Sequence, residues 1–197
     1  NNLDCDDTNA AVNPGNSEIL FNGLDDDCNS ATLDFNSGIF ESYITFAGTI
    51  YDLNGNESSI NPDFDGTQIS TDECSAEFIL DGGEVKTFKC PNQNGDITGA
   101  SLFYRIYSAT EVPGVFSSFN LNFGSNDDVN FGCQNQTWAT NGAGIDLFDG
   151  LPPGEYTIDV YTTAEYTFDG GSGTHTDDNG GDFYTLNLTV EDEINPT

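Results

Sequence analysis

Apolar and polar residues alternate along most of the chain after about residue 39. In the stretch IFESYITFAGTIY the even positions Phe40, Ile44, Phe46 and Ile50 are all apolar. A period of two residues is typical of a half-buried β-strand. The same pattern predicts further strands in AEFIL, EVKTFKC, SLFYRIYS, FSSFNLNF, EYTIDVYTTAEYTF and FYTLNLTV.

The arrangement of these segments predicts an all-β fold. No segment sustains the period of 3.6 that marks an amphipathic helix, and Gly-rich turns separate about eight short strands. We therefore expect an Ig-like antiparallel β-sandwich over residues 37–190. Residues 1–36 lack alternation and are rich in Asn, Asp, Gly and Pro, so we expect a separate, small, irregular motif there. The polar stretch EDEINPT, residues 191–197, is predicted to be a linker to a further domain.

One hairpin is predicted around the turn DGG at residues 81–83. A three-residue loop there would set Cys74 opposite Cys90, which favours a cross-strand disulfide between them. A register slip of one residue would place Cys90 opposite Ser75 instead. In either case Cys133 is left over, as a buried small hydrophobic residue or as a point of attachment to another chain.

The charge of the chain is strongly one-sided. It has 34 acidic and 3 basic residues, for a net charge of -31, and Lys86, Lys89 and Arg105 are its only cations. This charge argues against nucleic acid and anionic membranes as partners. No stretch approaches the roughly 20 apolar residues of a membrane-spanning helix. Bound divalent cations or a salty medium would offset the self-repulsion.

The acidic residues of the N-terminal motif fall into two clusters that suit calcium, the first at residues 4–9 and the second at residues 25–29. Calcium takes six to eight oxygen ligands from carboxylates, amides and backbone carbonyls. The turn formers Asn13-Pro14-Gly15 and Asn22-Gly23 would fold the clusters together, and Glu18 would bind bidentately. The predicted metal ligands are Asp4, Asp6, Asp7, Asn9, Glu18, Asn22, Asp25, Asp27 and Asn29.

Two cysteines lie inside these clusters. A disulfide between Cys5 and Cys28 would clamp both halves of the site, contributing on the order of 3 kcal/mol. Zinc bound through thiolates is the rival, but it needs about four Cys or His ligands and the segment offers two cysteines and no histidine. Copper is disfavoured because the whole chain has one His and no Met.

The stretch DCDDTNAAVNPGNSEILFNGLDDDC resembles a metal-binding motif of secreted bacterial surface proteins, named after the copper protein MopE and similar to thrombospondin type-3 calcium repeats. The resemblance implies an extracellular protein, often a large multidomain one of Bacteroidota exported by the type 9 system, with calcium as the ion. The stretch LPPGEYTIDVYTTAE resembles strands of β-sandwich modules in bacterial adhesins, which implies a fold but no function.

Several loops and residues outside the motif have both a structural and a ligand-binding interpretation. The loops at 51–57, 61–66, 124–130 and 174–182 are acidic, and we expect most to be solvated turns and one or two to be candidate cation sites. We expect His175 to be an exposed loop residue. Trp138 would stack on a sugar ring if it were exposed, but a single Trp in a sandwich more often belongs to the core.

No catalytic motif is present, so we expect no enzyme: G-x-S-x-G, H-E-x-x-H and Cys/His arrangements are all missing. The first hypothesis is a calcium-stabilised structural or adhesive module of a secreted cell-surface protein, such as an adhesin, stalk or filament. Its partners would be neighbouring domains, other subunits or surface glycans. The alternative is a carbohydrate-binding module of a secreted glycan-degrading enzyme, and self-assembly through Cys133 or a strand edge is a third possibility.

Overall fold

A computed structural model describes residues 9–10, 12–17, 26–29, 37–53, 55, 60–72, 78–90, 95–128, 133–149, 151–168 and 171–191. Ten strands account for most of these residues, and the helical structure in these ranges is a single 3-10 turn at Asn179–Gly181. The strands are β1 (Ser37–Phe46), β2 (Thr49–Asp52), β3 (Gln68–Asp72), β4 (Ile79–Lys89), β5 (Asp96–Ser108), β6 (Ser117–Asp128), β7 (Gln134–Asp146), β8 (Gly154–Phe168), β9 (Gly171–Asp177) and β10 (Tyr184–Glu191).

The strands follow the order β2-β1-β4-β7-β6-β5-β8-β10-β3, and β9 pairs with β8 beside this path. Strand β6 belongs to both halves of the sheet. Its first part, Ser117–Leu121, pairs with β5, whereas the part from Asn122 onward pairs with β7. The sheet therefore folds over at β6 into two layers. One layer contains β2, β1, β4 and β7, and the other contains β5, β8, β10 and β3.

The core lies between these two layers. Ile44 and Phe46 of β1 and Leu102 of β5 are fully buried in one apolar cluster that also takes side chains from β4, β7, β8 and β10. The layers approach closely at Gly83, where an added Cβ would lie 2.4 Å from Leu102 Cδ1. The predicted all-β sandwich is confirmed, with one difference from a purely antiparallel sheet, because β3 pairs parallel to β10.

The predicted hairpin around residues 81–83 is wrong. These residues lie in the middle of β4, which is continuous and pairs with β1 on one side and β7 on the other. The register of β4 and β7 shifts between Leu80 and Gly82, and an added Cβ at Gly82 would lie 1.8 Å from Thr140 O. Glycine is needed here because two backbones approach closely, not because the chain turns.

The predicted Cys74–Cys90 disulfide is wrong as well. Lys89 of β4 is opposite Gln134 of β7, so the next pair in this antiparallel register joins Cys90 to Cys133. These two cysteines form a disulfide, with their Cα atoms 4.0 Å apart. Cys133 is thus neither a buried free thiol nor a point of attachment. Cys74 lies outside the described residues.

The three cations of the chain each pair with one carboxylate. Lys86 contacts Glu41, and the Lys89 Nζ to Asp96 Oδ1 distance is 2.6 Å. The Arg105 to Asp159 pair, with an Nη2 to Oδ2 distance of 2.7 Å, is the most buried of the three. The Arg105 guanidinium also lies 4.2 Å from the ring centre of Phe116 and 5.1 Å from that of Phe183, and this fixes the loop before β6 against the outer face of β5.

The proposed division into an N-terminal motif at 1–36, a sandwich at 37–190 and a linker at 191–197 stays a prediction. Strand β1 begins at Ser37 and β10 ends at Glu191. Residues 192–197 lie outside the described residues. In the part of the chain that is described, no helix has the length and apolar character needed to cross a membrane.

Candidate functional site

In the first half of the N-terminal motif, the described residues 12–17 form a tight turn that is held by hydrogen bonds of Asn13. The Asn13 Oδ1 accepts a hydrogen bond from Gly15 N at 3.0 Å, and its backbone oxygen accepts one from Asn16 N at 3.0 Å. The Asn13 side-chain amide also donates to Ala10 O at 3.1 Å. An Asn side chain that bonds its own backbone two residues on replaces part of a turn, so Asn-Pro-Gly turns here as the sequence predicts.

A backbone hydrogen bond joins this turn to the second acidic cluster. The Asn13 N–H donates to Asp26 O at 2.9 Å. Asp26 is only 1% exposed and Val12 is also buried, so the two segments pack closely where they meet. The contact brings the chain around residue 13 to the start of the sequence Asp26-Asp27-Cys28-Asn29.

The second segment turns sharply at Cys28. Its φ of 54° lies in the left-handed region, which residues other than glycine rarely adopt. The Asp27 Oδ1 accepts a hydrogen bond from Asn29 N at 3.0 Å, and Cys28 is disulfide-bonded. Both contacts restrain the turn. Cys5, its predicted partner, lies outside the described residues, so the Cys5–Cys28 pairing stays a prediction.

The predicted metal ligands fall only partly within the described residues. Asn9, Asp27 and Asn29 are described. The ligands outside the described residues are Asp4, Asp6, Asp7, Glu18, Asn22 and Asp25. Among the residues that the structure does describe, no group of three or more His, Cys, Asp or Glu side chains is placed to hold a metal ion. The donors available in the segment are nonetheless oxygen atoms, which fits a hard cation such as calcium.

The acidic loops of the sandwich bind parts of the protein itself. Asp52 is buried, and its Oδ1 accepts from Gly55 N at 3.2 Å. Asp65 Oδ1 accepts from Thr185 N at 2.9 Å. Asp177 accepts from Tyr184 Oη and from Ser42 Oγ, each at 2.5 Å. These three carboxylates therefore hold loops and strands together.

Burial shifts the pKa values of both Tyr184 and His175. Burial, together with the hydrogen bond to Asp177, raises the pKa of Tyr184. His175 is not the exposed loop residue that was predicted, because it lies half-buried in β9 with its ring stacked on Tyr166 at 4.3 Å. Its Nε2 lies 3.0 Å from Ser37 Oγ, and burial lowers the pKa of the imidazole.

Trp138 lies in the core rather than on an exposed surface. It is 8% exposed and belongs to the buried cluster between the layers. Phe123, directly opposite on β6, packs edge-on against it with ring centres 5.3 Å apart. Phe123 is 51% exposed and stands at the rim of a groove of about 440 Å³. The sequence alone points to Trp138 and not to Phe123.

Comparison with known protein families gives a match within the N-terminal motif. Residues 4–32 match the family Cu-binding_MopE, described as "Putative metal-binding motif". This confirms the resemblance stated above for these residues. A search of curated proteins by sequence found no match.

Two solved structures share a low level of similarity with the chain. AggA of Escherichia coli, the major subunit of aggregative adherence fimbriae type I, is 18% identical over 64% of this chain and 90% of its own, with a TM-score of 0.29. The CooA pilin subunit of enterotoxigenic Escherichia coli is 8% identical over 81% of this chain and 99% of its own, with a TM-score of 0.24. TM-scores this low carry no information about the function of this chain.

Proposed function

We propose that this chain is a non-catalytic structural or adhesive module of a secreted cell-surface protein, and that calcium bound by its N-terminal motif stabilises it. The observation that carries the proposal is the match of residues 4–32 to a metal-binding motif. The hydrogen bond from Asn13 N to Asp26 O supports it, because this bond holds the turn of the first half against the acidic second half.

Calcium is the ion we propose because of the charge and the donor types. The motif offers carboxylate and amide oxygens, and the first 85 residues contain no Lys or Arg that would neutralise them. A hard divalent cation neutralises such a cluster while its oxygen ligands fold around it. Cys28 is disulfide-bonded, so its sulfur is not a free thiolate for zinc or copper.

The disulfides support the proposed extracellular placement. The Cys90–Cys133 bond joins adjacent strands β4 and β7, and such structural disulfides persist in oxidising compartments. A surface of high negative charge also suits a module that stays soluble outside the cell. Its partners would be neighbouring domains of a longer chain or other subunits of a surface assembly.

Thermal unfolding of the full chain with and without calcium tests the proposal. At a free calcium concentration about 100 times the dissociation constant, binding adds about 2.7 kcal/mol to the free energy of unfolding. For a domain of this size that raises the melting temperature by roughly 5 to 10 °C, and EDTA should reverse the rise.

A matched pair of variants separates calcium binding from a general effect of charge. Asp27→Asn keeps an oxygen that accepts from Asn29 N, yet it removes one negative charge from the motif. Glu111→Gln removes the same charge from an exposed position in the loop before β6, outside the acidic loops named above as candidate cation sites. We expect the calcium-induced rise to shrink in Asp27→Asn alone. An equal rise in both variants, or no rise in the unmodified chain, would contradict the proposal.

A further inference from the structure

The groove beside Phe123 forms where β6 crosses from one layer to the other. Up to Leu121 the strand pairs with β5, and from Asn122 it pairs with β7, so a gap opens between β5 and β7 at this point. The gap has a volume of about 440 Å³, within the size range of small-ligand sites. Its polar and aromatic lining includes Thr98, Ser101, Asn120, Asn122, Phe123 and Glu165.

Phe123 gives this groove a fixed aromatic wall. The ring is half exposed, and the edge-on contact with the buried Trp138 ring, with an interplanar angle of 70°, restrains its orientation. A rigid ring with one accessible side is suited to pack against the apolar C–H face of a ligand at low entropic cost.

Polar groups on β5, β6 and β7 are held in place around the ring. The Asn122 side-chain amide donates to Thr140 Oγ1 at 3.1 Å, and this hydroxyl donates to Asn120 O at 3.0 Å. Ser101 Oγ lies 3.4 Å from Asn120 Oδ1. These contacts fix the two amides of β6 at the groove, where each amide offers both donor and acceptor atoms.

The third polar group is the carboxylate of Glu165 on β8. It lies over Gly99 of β5, the residue opposite, and an added Cβ at Gly99 would lie 2.7 Å from Glu165 Oε2. A glycine at this position therefore leaves the space that the carboxylate occupies. The groove thus combines an aromatic ring, two amides, hydroxyl groups and one carboxylate.

We propose that this groove binds a neutral saccharide, with a sugar ring stacked on Phe123 and its hydroxyl groups bonded to Asn122 and Glu165. Sugars present an apolar C–H face and a rim of hydroxyls, which match the ring and the amide and carboxylate groups respectively. The net charge of -31 and the carboxylate in the groove disfavour anionic sugars. This proposal goes beyond the proposed calcium function and does not depend on it.

Titration of the full chain with cellohexaose, xylohexaose, laminarihexaose and mannohexaose tests the proposal. Trp138 is the only tryptophan of the chain and contacts Phe123, so its fluorescence reports on the groove. We expect saturable binding of at least one of these hexasaccharides and none of polygalacturonate, in calcium and in EDTA alike. The absence of a response to all four neutral sugars at millimolar concentration would overturn the proposal.

Variants place the binding at the groove. Phe123→Ala should weaken binding by about tenfold, and Glu165→Gln, which keeps the shape of the side chain, should also weaken it. Phe40→Ala is the matched control, because Phe40 is also partly exposed (39%) and lies on β1 away from the groove. Calorimetric titration gives the affinities, and circular dichroism verifies that each variant is folded. Unchanged affinity in Phe123→Ala would show that any sugar binds elsewhere and overturn the assignment.

Discussion

The Cys90–Cys133 disulfide can be tested by peptide mapping because the chain has only three tryptic cleavage sites. Trypsin cuts after Lys86, Lys89 and Arg105, which separates Cys74, Cys90 and Cys133 onto three different fragments. After denaturation and alkylation without reduction, we expect fragment 90–105 to remain linked to fragment 106–197. Linkage of fragment 90–105 to fragment 1–86 would instead identify a bond from Cys90 to a cysteine of the first 86 residues.

The same disulfide should contribute strongly to stability. Its two cysteines are 43 residues apart, and a cross-link that closes a loop of this length lowers the entropy of the unfolded chain. The loop-entropy relation gives about 4 kcal/mol at about 25 °C. The double variant Cys90→Ala/Cys133→Ala should therefore lose free energy of unfolding of about this size in urea titrations followed by circular dichroism.

A single replacement would leave the partner cysteine as an additional unpaired thiol, so the double variant is the appropriate change. The two strands keep their backbone pairing, so the loss should come mostly from the unfolded state. The midpoint of the urea transition should fall while its slope changes little or rises slightly. A loss below about 1 kcal/mol would refute this reasoning, since the value would be that of an ordinary surface substitution.

Two further predictions concern the ion pairs and the histidine. Arg105→Leu leaves the buried carboxylate of Asp159 without its cation and should cost about 3 kcal/mol of unfolding free energy, whereas Lys89→Gln, whose partner is exposed, should cost less than about 1 kcal/mol. Similar urea midpoints for the two variants would contradict this difference. Burial lowers the pKa of His175, so the unfolded chain binds its proton more tightly, and this histidine should reduce stability as the pH falls below about 6.5. Thermal melts of His175→Gln should fall less steeply with acidification than those of the unmodified chain, and parallel pH profiles would refute the assignment.

The alternation in the first predicted strand identifies a β-structure but not which side chains are buried. Ile44 and Phe46 are buried as expected, whereas Phe40 is 39% and Ile50 is 50% exposed. The register of β1 and β4 shifts between Ile39 and Glu41, so the inward phase changes across Phe40. After Phe46, the pair Ala47-Gly48 adopts positive φ angles and begins a hairpin into β2. A change of phase caused by a bulge or turn depends on the partner strand, which the local sequence does not reveal.

The glycines at residues 82 and 83 led to the wrong hairpin for a similar reason. Asp-Gly-Gly is a good turn sequence, but Gly82 is required by the approach of Thr140, which is far away in the chain. Only the pairing of β4 with β7 reveals this contact, and the same pairing determines the disulfide of Cys90. Long-range strand pairing therefore decided both features, and sequence patterns carry little information about it.

The candidate sites differ in how far the sequence could predict them. The N-terminal motif was recognisable from its acidic residues and turn formers, because its signal lies in consecutive residues. The groove at Phe123 combines side chains from β5, β6 and β8 that are up to 67 residues apart, as the pairing of Thr98 Oγ1 with Glu165 O illustrates. Its only possible signal was an apolar residue, Phe123, within the otherwise polar end of β6.

Calorimetric titration of calcium into the EDTA-treated, dialysed full chain tests the central claim most directly. The account predicts saturable binding of at least one calcium ion, with an affinity that falls by roughly tenfold in Asp27→Asn and stays unchanged in Glu111→Gln. Absence of binding at millimolar calcium, or equal binding by both variants, would contradict the claim that the N-terminal motif is a calcium site.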